Sequence, residues 1–292
     1  MNATLDMGPI GVFTRVQVWQ SASDAAEAAA ELEDLGFSAL WLGGSPSGDL
    51  EVPEALIRAT RRLVVGTSIV NIWKDEAHVL AASYERIAGA YPGRLVLGIG
   101  IGHAANVGDA YRRPMRKLGQ YLDELDAASP PVPVDGRAIA ALGPRSLAIA
   151  RERSLGSLPY LVTPDHTRIA REALGPDALL APEQKVVLDA DPAAALPLAR
   201  QNLAPYLRLP NYTNNLRRLG YDDGDFADGG SERLVDALVA TGDAEIRARI
   251  RRHLDAGANH VAVQVLTGDR DRLPRVQFQA LAGIVRDLAR AG

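Results

Sequence analysis

The chain repeats one pattern of apolar and polar positions: a helix with one apolar face, a glycine, and then a short run of Val, Leu and Ile. The four clearest copies lie at 35–44, 92–100, 155–163 and 256–266, with Gly36, Gly93, Gly156 and Gly257 just before the apolar run. Glycine at that point is typical of a helix C-cap, and the apolar run after it is typical of a buried strand. The repeat therefore predicts helices that alternate with parallel strands.

Apolar runs and turn signals divide the chain into eight predicted strands, each followed by at least one helix. The predicted strands are 9–14, 38–43, 62–70, 94–100, 137–142, 157–163, 185–189 and 260–266. The predicted helices are 23–35, 52–60, 75–90, 113–127, 144–153, 165–173, several within 192–240, 243–255 and 275–290. Apolar strands that alternate with helices in this way predict an α/β fold, the (β/α)8 TIM barrel.

The segment 192–240 follows the predicted seventh strand and is too long for a simple connection. Its own helical pattern argues against a disordered loop. We therefore expect a single barrel domain over 1–292, with 192–240 as a helical insertion that covers the C-terminal face, where barrels of this type build their sites.

Composition narrows the possible partners and the compartment. The net charge of −4 leaves no basic surplus for nucleic acid or for an anionic membrane surface. The chain has no cysteine, no apolar run of membrane-spanning length and no secretory signal pattern at its start. We expect a cytoplasmic protein that acts on a small molecule and binds neither nucleic acid nor membrane.

Two of the predicted strand ends could hold an anion. Gly143 and Pro144 open a helix directly after the fifth strand, with Arg145 nearby, and Thr163 and Pro164 repeat the arrangement after the sixth. Free N–H groups at a helix N-terminus attract phosphate, so a phosphate between the two is one interpretation. The other is that both are ordinary helix caps.

The predicted fourth strand ends in GIGIGH, with Gly98, Gly100 and Gly102 followed by His103. Alternate glycines let the backbone approach something flat or bulky. The same residues loosely fit a dinucleotide fingerprint, but no clear helix follows, so we do not favour a Rossmann unit. His103 lies just past the strand end and is the best candidate for proton transfer or ring contact, with a structural role as the alternative.

The other four histidines predict less. His260 lies at the start of the eighth strand, on the face that carries stability, and His78 and His253 fall within helices as surface or packing residues. His166, in the first turn of a helix, could touch a phosphate, but we expect it to be solvated. Neither metal-ligand spacing nor a G-x-S-x-G elbow is present, so metal-dependent and serine hydrolysis lack support and we expect no metal.

The segment VVGTSIVNIW…HVLAASYERIAGAYPGRLVLGIGIGH (64–103) resembles the luciferase-like monooxygenase superfamily, and specifically its actinobacterial coenzyme F420-dependent oxidoreductases. The similarity continues through 140–150, 158–172, 179–189, 209–221 and 256–266, and so covers nearly the whole chain. The resemblance implies a homodimeric (β/α)8 oxidoreductase that binds a deazaflavin or flavin at the C-terminal face of the barrel.

Site residues follow from the same resemblance. It implies a non-proline cis peptide at Ser68–Ile69 supporting the central ring of the cofactor, with Asn71 beside it. The cofactor-binding positions that it implies are Ser68, Ile69, Asn71, Gly102, His103, Leu142, Gly143 and Thr163, the last three at the cofactor phosphate. His103 is our candidate catalytic residue, as a polar contact or proton relay, and Tyr212 of the insertion is our candidate for the substrate pocket.

The chain departs from part of the family. Relatives that oxidise alcohols or sugar phosphates carry Asp-His after the second strand, whereas this chain has Gly44-Ser45, and its connection between strands four and five is short. The resemblance therefore implies hydride transfer between C5 of F420 and a small organic substrate, without that subset's mechanism. An FMN-dependent monooxygenase is one alternative, and a non-catalytic flavin- or deazaflavin-binding protein is another.

Overall fold

The computed structural model describes Leu5 and residues 7–189 and 191–290. Residues 1–4, 6, 190 and 291–292 of the predicted 1–292 domain lie outside the described residues. The strands within the described ranges are β1 (Ile10–Arg15), β2 (Ala39–Gly43), β3 (Val64–Thr67), β4 (Val70–Asn71), β5 (Leu95–Gly100), β6 (Arg137–Ile139), β7 (Gly156–Ser157), β8 (Leu179–Leu180), β9 (Glu183–Val187), β10 (Val239–Thr241) and β11 (Val261–Val265).

The helices lie between and after these strands. They are α1 (Val16–Ser21), α2 (Ala25–Asp34), α3 (Glu51–Arg58), α4 (Ala77–Ala90), α5 (Ala104–Val107), α6 (Pro114–Asp126), α7 (Pro144–Arg153), α8 (Pro164–Leu174), α9 (Pro192–Leu203), α10 (Pro210–Arg218), α11 (Asp223–Phe226), α12 (Glu232–Leu238), α13 (Gly242–Asp255) and α14 (Arg275–Arg290). Short 3₁₀ turns lie at Gly108–Ala110, Val134–Gly136, Tyr206–Arg208 and Ala227–Gly229.

All strand pairs in the sheet are parallel, in the order β10-β9-β11-β1-β2-β3-β5-β6-β7-β8, with β4 also on β5. Only Ala181 and Pro182 separate β8 from β9, and both continue the ladder. Ala181 N donates to Ser157 O (3.0 Å) on one side, while Pro182 O accepts from Ala262 N (2.9 Å) on the other. The sheet therefore curls back on itself, which confirms the predicted TIM-barrel fold.

The predicted strand boundaries needed correction in three places. The predicted third strand is interrupted between β3 and β4 by a cis Ser68–Ile69 peptide. The predicted sixth strand is regular only at β7, although its backbone pairing continues to Pro159, whose O accepts from Glu183 N (2.9 Å). It ends before Leu161, which adopts a left-handed φ of 59°. The seventh strand was predicted to begin at 185, but pairing begins at Leu179. The polar residues of β9 interrupt the apolar run although they are buried, so the apolar pattern alone does not show where the strand begins. Helix α1 was not predicted, and neither was strand β10, which begins inside the segment 192–240 that was expected to be helical.

Alternation along the strands separates an inner from an outer core. On β2, Ala39 and Trp41 belong to the cluster inside the barrel, while Leu40 and Leu42 belong to the larger cluster between sheet and helices. Trp41 Nε1 donates to His260 Nε2 (3.0 Å), so the barrel interior is filled at the end where the strands begin. Space for a ligand is left at the opposite end.

Candidate active site

A cavity of about 630 Å³ opens at the C-terminal ends of the strands. It lies where the parallel strands end and the connecting segments begin, the usual place for a site in this fold. Of the predicted site residues, Ser68, Ile69, Asn71, Gly102, His103, Leu142, Gly143 and Tyr212 line it. The structure thus brings together residues from three strand ends and from the segment after β9.

Thr163 does not line this cavity. It is the N-cap of α8, and its Oγ1 accepts from His166 N (3.4 Å). The interpretation as an ordinary helix cap therefore describes Thr163 better than the phosphate contact. The expectation that His166 is solvated is wrong: His166 is 1% exposed, and its Nε2 donates to Leu142 O (3.0 Å).

The wall formed by β3, β4 and β5 carries the cis Ser68–Ile69 peptide that the resemblance implied. Next to it, Asn71 is buried, and its Oδ1 accepts from Trp73 N (3.0 Å). That bond holds the turn after β4 and sets the Asn71 side chain at the cavity edge.

The glycines of GIGIGH leave room for close contacts with the neighbouring strand. A Cβ on Gly98 would lie 1.8 Å from Thr67 O, and one on Gly100 would lie 2.7 Å from Ile69 Cγ1. A Cβ on Gly102, whose φ is 65°, would lie 2.5 Å from Asn71 Nδ2. Neighbouring residues therefore occupy the space that a Cβ on these glycines would need, while Gly100 and Gly102 still line the cavity.

His103 begins the short helix α5 at this wall, half-buried. Burial lowers the pKa of its imidazole, and a hydrogen bond with Asn211 opposes that effect. Its Nδ1 is shielded from solvent and has no partner among the described residues. His103 thus presents a neutral ring with an unsatisfied polar nitrogen at the cavity.

Aromatic rings from the sixth strand's end and from the insertion form the floor beside His103. The Tyr212 ring centre lies 5.4 Å from that of His103 and 6.0 Å from that of Tyr160. Tyr206 lies 5.2 Å from Tyr160. Burial raises the pKa of the Tyr160 and Tyr212 hydroxyls well above their usual range, so both stay protonated and can donate.

Beneath this floor lies a buried ion pair. Lys185 Nζ donates to Glu183 Oε1 (2.9 Å), and both side chains are almost fully shielded from solvent. Nζ also lies 3.8 Å from the centre of the Tyr160 ring. Burial lowers the pKa of Lys185 and raises that of Glu183, while their mutual attraction opposes both shifts.

The opposite wall is the start of α7. Gly143 is its N-cap, and the amide groups of Leu142 and Gly143 already donate to Ser146 Oγ (3.2 Å each). Two of the backbone N–H groups near the predicted phosphate site therefore already have a partner within the protein. A cation stands beside that site instead: a Cβ on Gly143 would lie 3.4 Å from Nη2 of Arg218 on α10.

The charged residues that line the cavity are mostly cationic. They are Arg15, Arg218, Arg270 and Arg272, together with Asp269. Arg218 is exposed, and among the described residues its Nη2 donates only to Asn215 Oδ1 (3.3 Å). The rim therefore favours an anionic ligand group.

Two further histidines support the structure. His253 lies fully buried between Thr167 and Gln184, and His260 is buried against Trp41 and Gly8. His260 is on the face predicted to carry stability, while His78 is on the surface.

No group of three or more His, Asp or Glu in the described parts of the chain could hold a metal ion. None of the described helices is long and apolar enough to cross a membrane.

Sequence reasoning missed several cavity residues. They are Tyr160, Tyr206, Gln264 and Arg218. A signal existed for two of them, because Tyr160 and Gln264 are polar interruptions near the ends of apolar runs. Arg218 follows Arg217 on α10, and no local pattern tells which of the two faces the site.

Comparison with known proteins gives one family. Residues 7–260 match the family model described as luciferase-like monooxygenase. No curated protein matches the chain.

Solved structures of the same fold cover the chain almost completely. An F420-dependent secondary alcohol dehydrogenase in complex with an F420-acetone adduct is 15% identical, with a TM-score of 0.71 over 96% of this chain and 98% of its own. The coenzyme F420-dependent tetrahydromethanopterin reductase of Methanopyrus kandleri is 15% identical, with a TM-score of 0.70 over 97% and 99%. The oxygenating constituent of 3,6-diketocamphane monooxygenase from Pseudomonas putida, in complex with FMN, is 16% identical, with a TM-score of 0.70 over 97% and 98%. At these identities the likeness shows the fold.

Proposed function

Since the chain belongs to the luciferase-like monooxygenase family, we propose that it is an F420-dependent oxidoreductase that acts on a small organic substrate. Among the proteins of similar structure, two depend on F420 and one is in complex with FMN, so a deazaflavin or a flavin suits the site. The bound deazaflavin would supply hydride transfer at its C5. The rest of the chemistry belongs to the protein's own residues.

The residues present fit such a ring. His103 Nδ1 and Asn202 Oδ1 are buried polar atoms without partners among the described residues, and both side chains line the cavity. Buried polar atoms rarely stay unsatisfied, so they support a polar ligand between the two walls. Ser68, Ile69 and Asn71 would support the ring, and His103 would contact it or pass a proton through its neutral imidazole.

The observation that carries the choice of F420 is the arginine-rich rim. F420 carries a phosphodiester and a carboxylate-bearing tail, whereas FMN carries one phosphate. Arg218 would bind the phosphate at the start of α7, beside Leu142 and Gly143, whose amides already donate to Ser146 Oγ. Arg270 and Arg272 also line the cavity, with Arg272 Nε 4.0 Å from Asp269 Oδ2, and would meet the anionic tail. Thr163 would contribute to the site indirectly, by capping the N-terminus of α8.

The experiment is a titration of the purified protein with F420 and, separately, with FMN, followed by quenching of cofactor fluorescence. The test variant is Gly143→Asp and the matched control is Gly143→Asn. Gly143 has a φ of −95° and its Cβ position meets only ordinary contacts, so both side chains fit. The Asp carboxylate would pair with Arg218 and repel a phosphate, whereas Asn has the same shape without the charge.

We expect selective F420 binding by the wild type, weakened about tenfold or more in Gly143→Asp and much less in Gly143→Asn. Preference for FMN would instead support a flavin-dependent monooxygenase, which needs oxygen and a source of reduced flavin. Binding of neither cofactor would refute both.

We further expect a homodimer in the cytoplasm. The cysteine-free composition suits a reducing compartment. Sedimentation of the purified protein tests the dimer, and a monomer at micromolar concentration would contradict it.

A further inference from the structure

Gln264 lies on β11 between the buried ion pair and the cavity. It is half-buried and lines the cavity. Its Oε1 accepts from Tyr160 Oη (3.0 Å) and from Lys185 Nζ (3.2 Å). Both partners donate to the same oxygen, and Lys185 is fully buried.

Lys185 determines which way the Gln264 amide faces. An ammonium group has hydrogens to donate and no acceptor, so the atom next to Nζ must be the amide oxygen and not the amide nitrogen. A proton transfer from Lys185 to Glu183 would change nothing here, because the new lone pair of Nζ would accept from the protonated carboxyl. The orientation therefore follows from chemistry and is independent of how the amide is assigned.

The amide nitrogen is left for a ligand. With Oε1 engaged twice, Gln264 offers the two N–H groups of Nε2, which have no hydrogen-bond partner among the described residues. Tyr160 reinforces this arrangement, since its hydroxyl stays protonated and donates to Oε1. The polar group available to a ligand at this point of the floor is thus a donor pair.

We propose that Gln264 is a specificity-determining residue, held by Lys185 and Tyr160 so that its amide N–H groups donate to a carbonyl-type oxygen of the ligand. This proposal rests on the proposed function in placing that ligand in the oxidoreductase site. The oxygen belongs either to a ketone or similar carbonyl substrate or to a ring carbonyl of the cofactor. Lys185 is a positioning residue in this arrangement.

The test compares a ketone with its alcohol, cyclohexanone and cyclohexanol, by ligand-observed NMR on cofactor-free protein at pH 8. Gln264→Glu keeps an oxygen for Tyr160 and Lys185 but replaces the N–H groups with a second carboxylate oxygen. Gln264→Met removes donor and acceptor together and serves if the first variant does not fold. Asn214→Asp is the matched control, since it adds the same charge elsewhere in the cavity lining.

We expect wild type to bind the ketone more tightly than the alcohol. Gln264→Glu should reverse that preference, with about a tenfold loss for the ketone, and Gln264→Met should remove it. Asn214→Asp should keep the wild-type ratio. A reversed preference requires a donor exchanged for an acceptor, which structural damage would not produce.

Titrations with F420 and with FMN separate the two sources of the oxygen. An unchanged ketone-to-alcohol ratio with about tenfold weaker cofactor binding in Gln264→Glu would assign the oxygen to the cofactor ring. Equal affinities of wild type and Gln264→Glu for the ketone and for both cofactors, including no measurable binding of any, would overturn the proposal. If neither cofactor binds while the ketone ratio reverses, the proposed function fails and the role of Gln264 stands.

Discussion

Acid should destabilise this protein through its buried His260. His260 is fully buried, its Nδ1 donates to Gly8 O (2.6 Å), and its Nε2 accepts from Trp41 Nε1 (3.0 Å). Burial lowers the pKa of the imidazole to about 4, although the bond to Gly8 opposes that shift. The folded protein must therefore keep His260 neutral under conditions in which the unfolded chain protonates it.

The sign and the size of the effect follow from linkage. The unfolded chain binds a proton near pH 6.5 and the folded protein only near pH 4, so stability is lost as the pH falls through that window. Between pH 7.5 and pH 5.0 the loss from His260 is about 2 kcal/mol. Below pH 4 it approaches about 3 kcal/mol.

Urea denaturation followed by tryptophan fluorescence at pH 7.5 and pH 5.0 measures this loss. His260→Gln offers an acceptor to Trp41 and does not titrate, so its stability should fall by about 2 kcal/mol less than that of wild type over the same interval. The difference between the two proteins removes the contribution of every other group. His78→Gln is the control, since the His78 side chain is 77% exposed. Equal pH dependence of wild type and His260→Gln would refute the reasoning.

Four further substitutions test other parts of the structure. Arg218→Gln should weaken F420 binding several-fold at low salt and little at high salt, because an exposed charge is screened; fluorescence titration at two salt concentrations measures this. Gly98→Ala should prevent folding, since its Cβ would lie 1.8 Å from a main-chain oxygen of β3. Gly119→Ala in α6 has open space for its Cβ and should stabilise the protein by about 0.5–1 kcal/mol. Thermal melting followed by circular dichroism would show both effects. Lys185→Met should cost about 3–5 kcal/mol by leaving Glu183 unpaired, and a smaller loss in urea would contradict the ion pair.

Local sequence determined the order and kind of the main elements. Apolar runs after cap glycines predicted most strands near their observed places, because strand burial and helix termination depend on residues close in the chain. Segment 64–103 also led to the right family and to the cis Ser68–Ile69 peptide, since strand and turn lie within one continuous stretch.

Only the tertiary structure decided what those residues contact. Gly98 and Gly102 make room for a neighbouring strand, and Thr163 caps α8 away from the cavity, although both patterns suit a ligand equally well when read along the chain. Gln264 and Lys185 are distant in sequence, yet their meeting sets which atoms the site offers. Propensity and periodicity act over a few residues, whereas closing the barrel brings eight strand ends to one place. The chemistry of the site therefore depends on contacts between side chains that are distant in the sequence, and local sequence patterns do not determine those contacts.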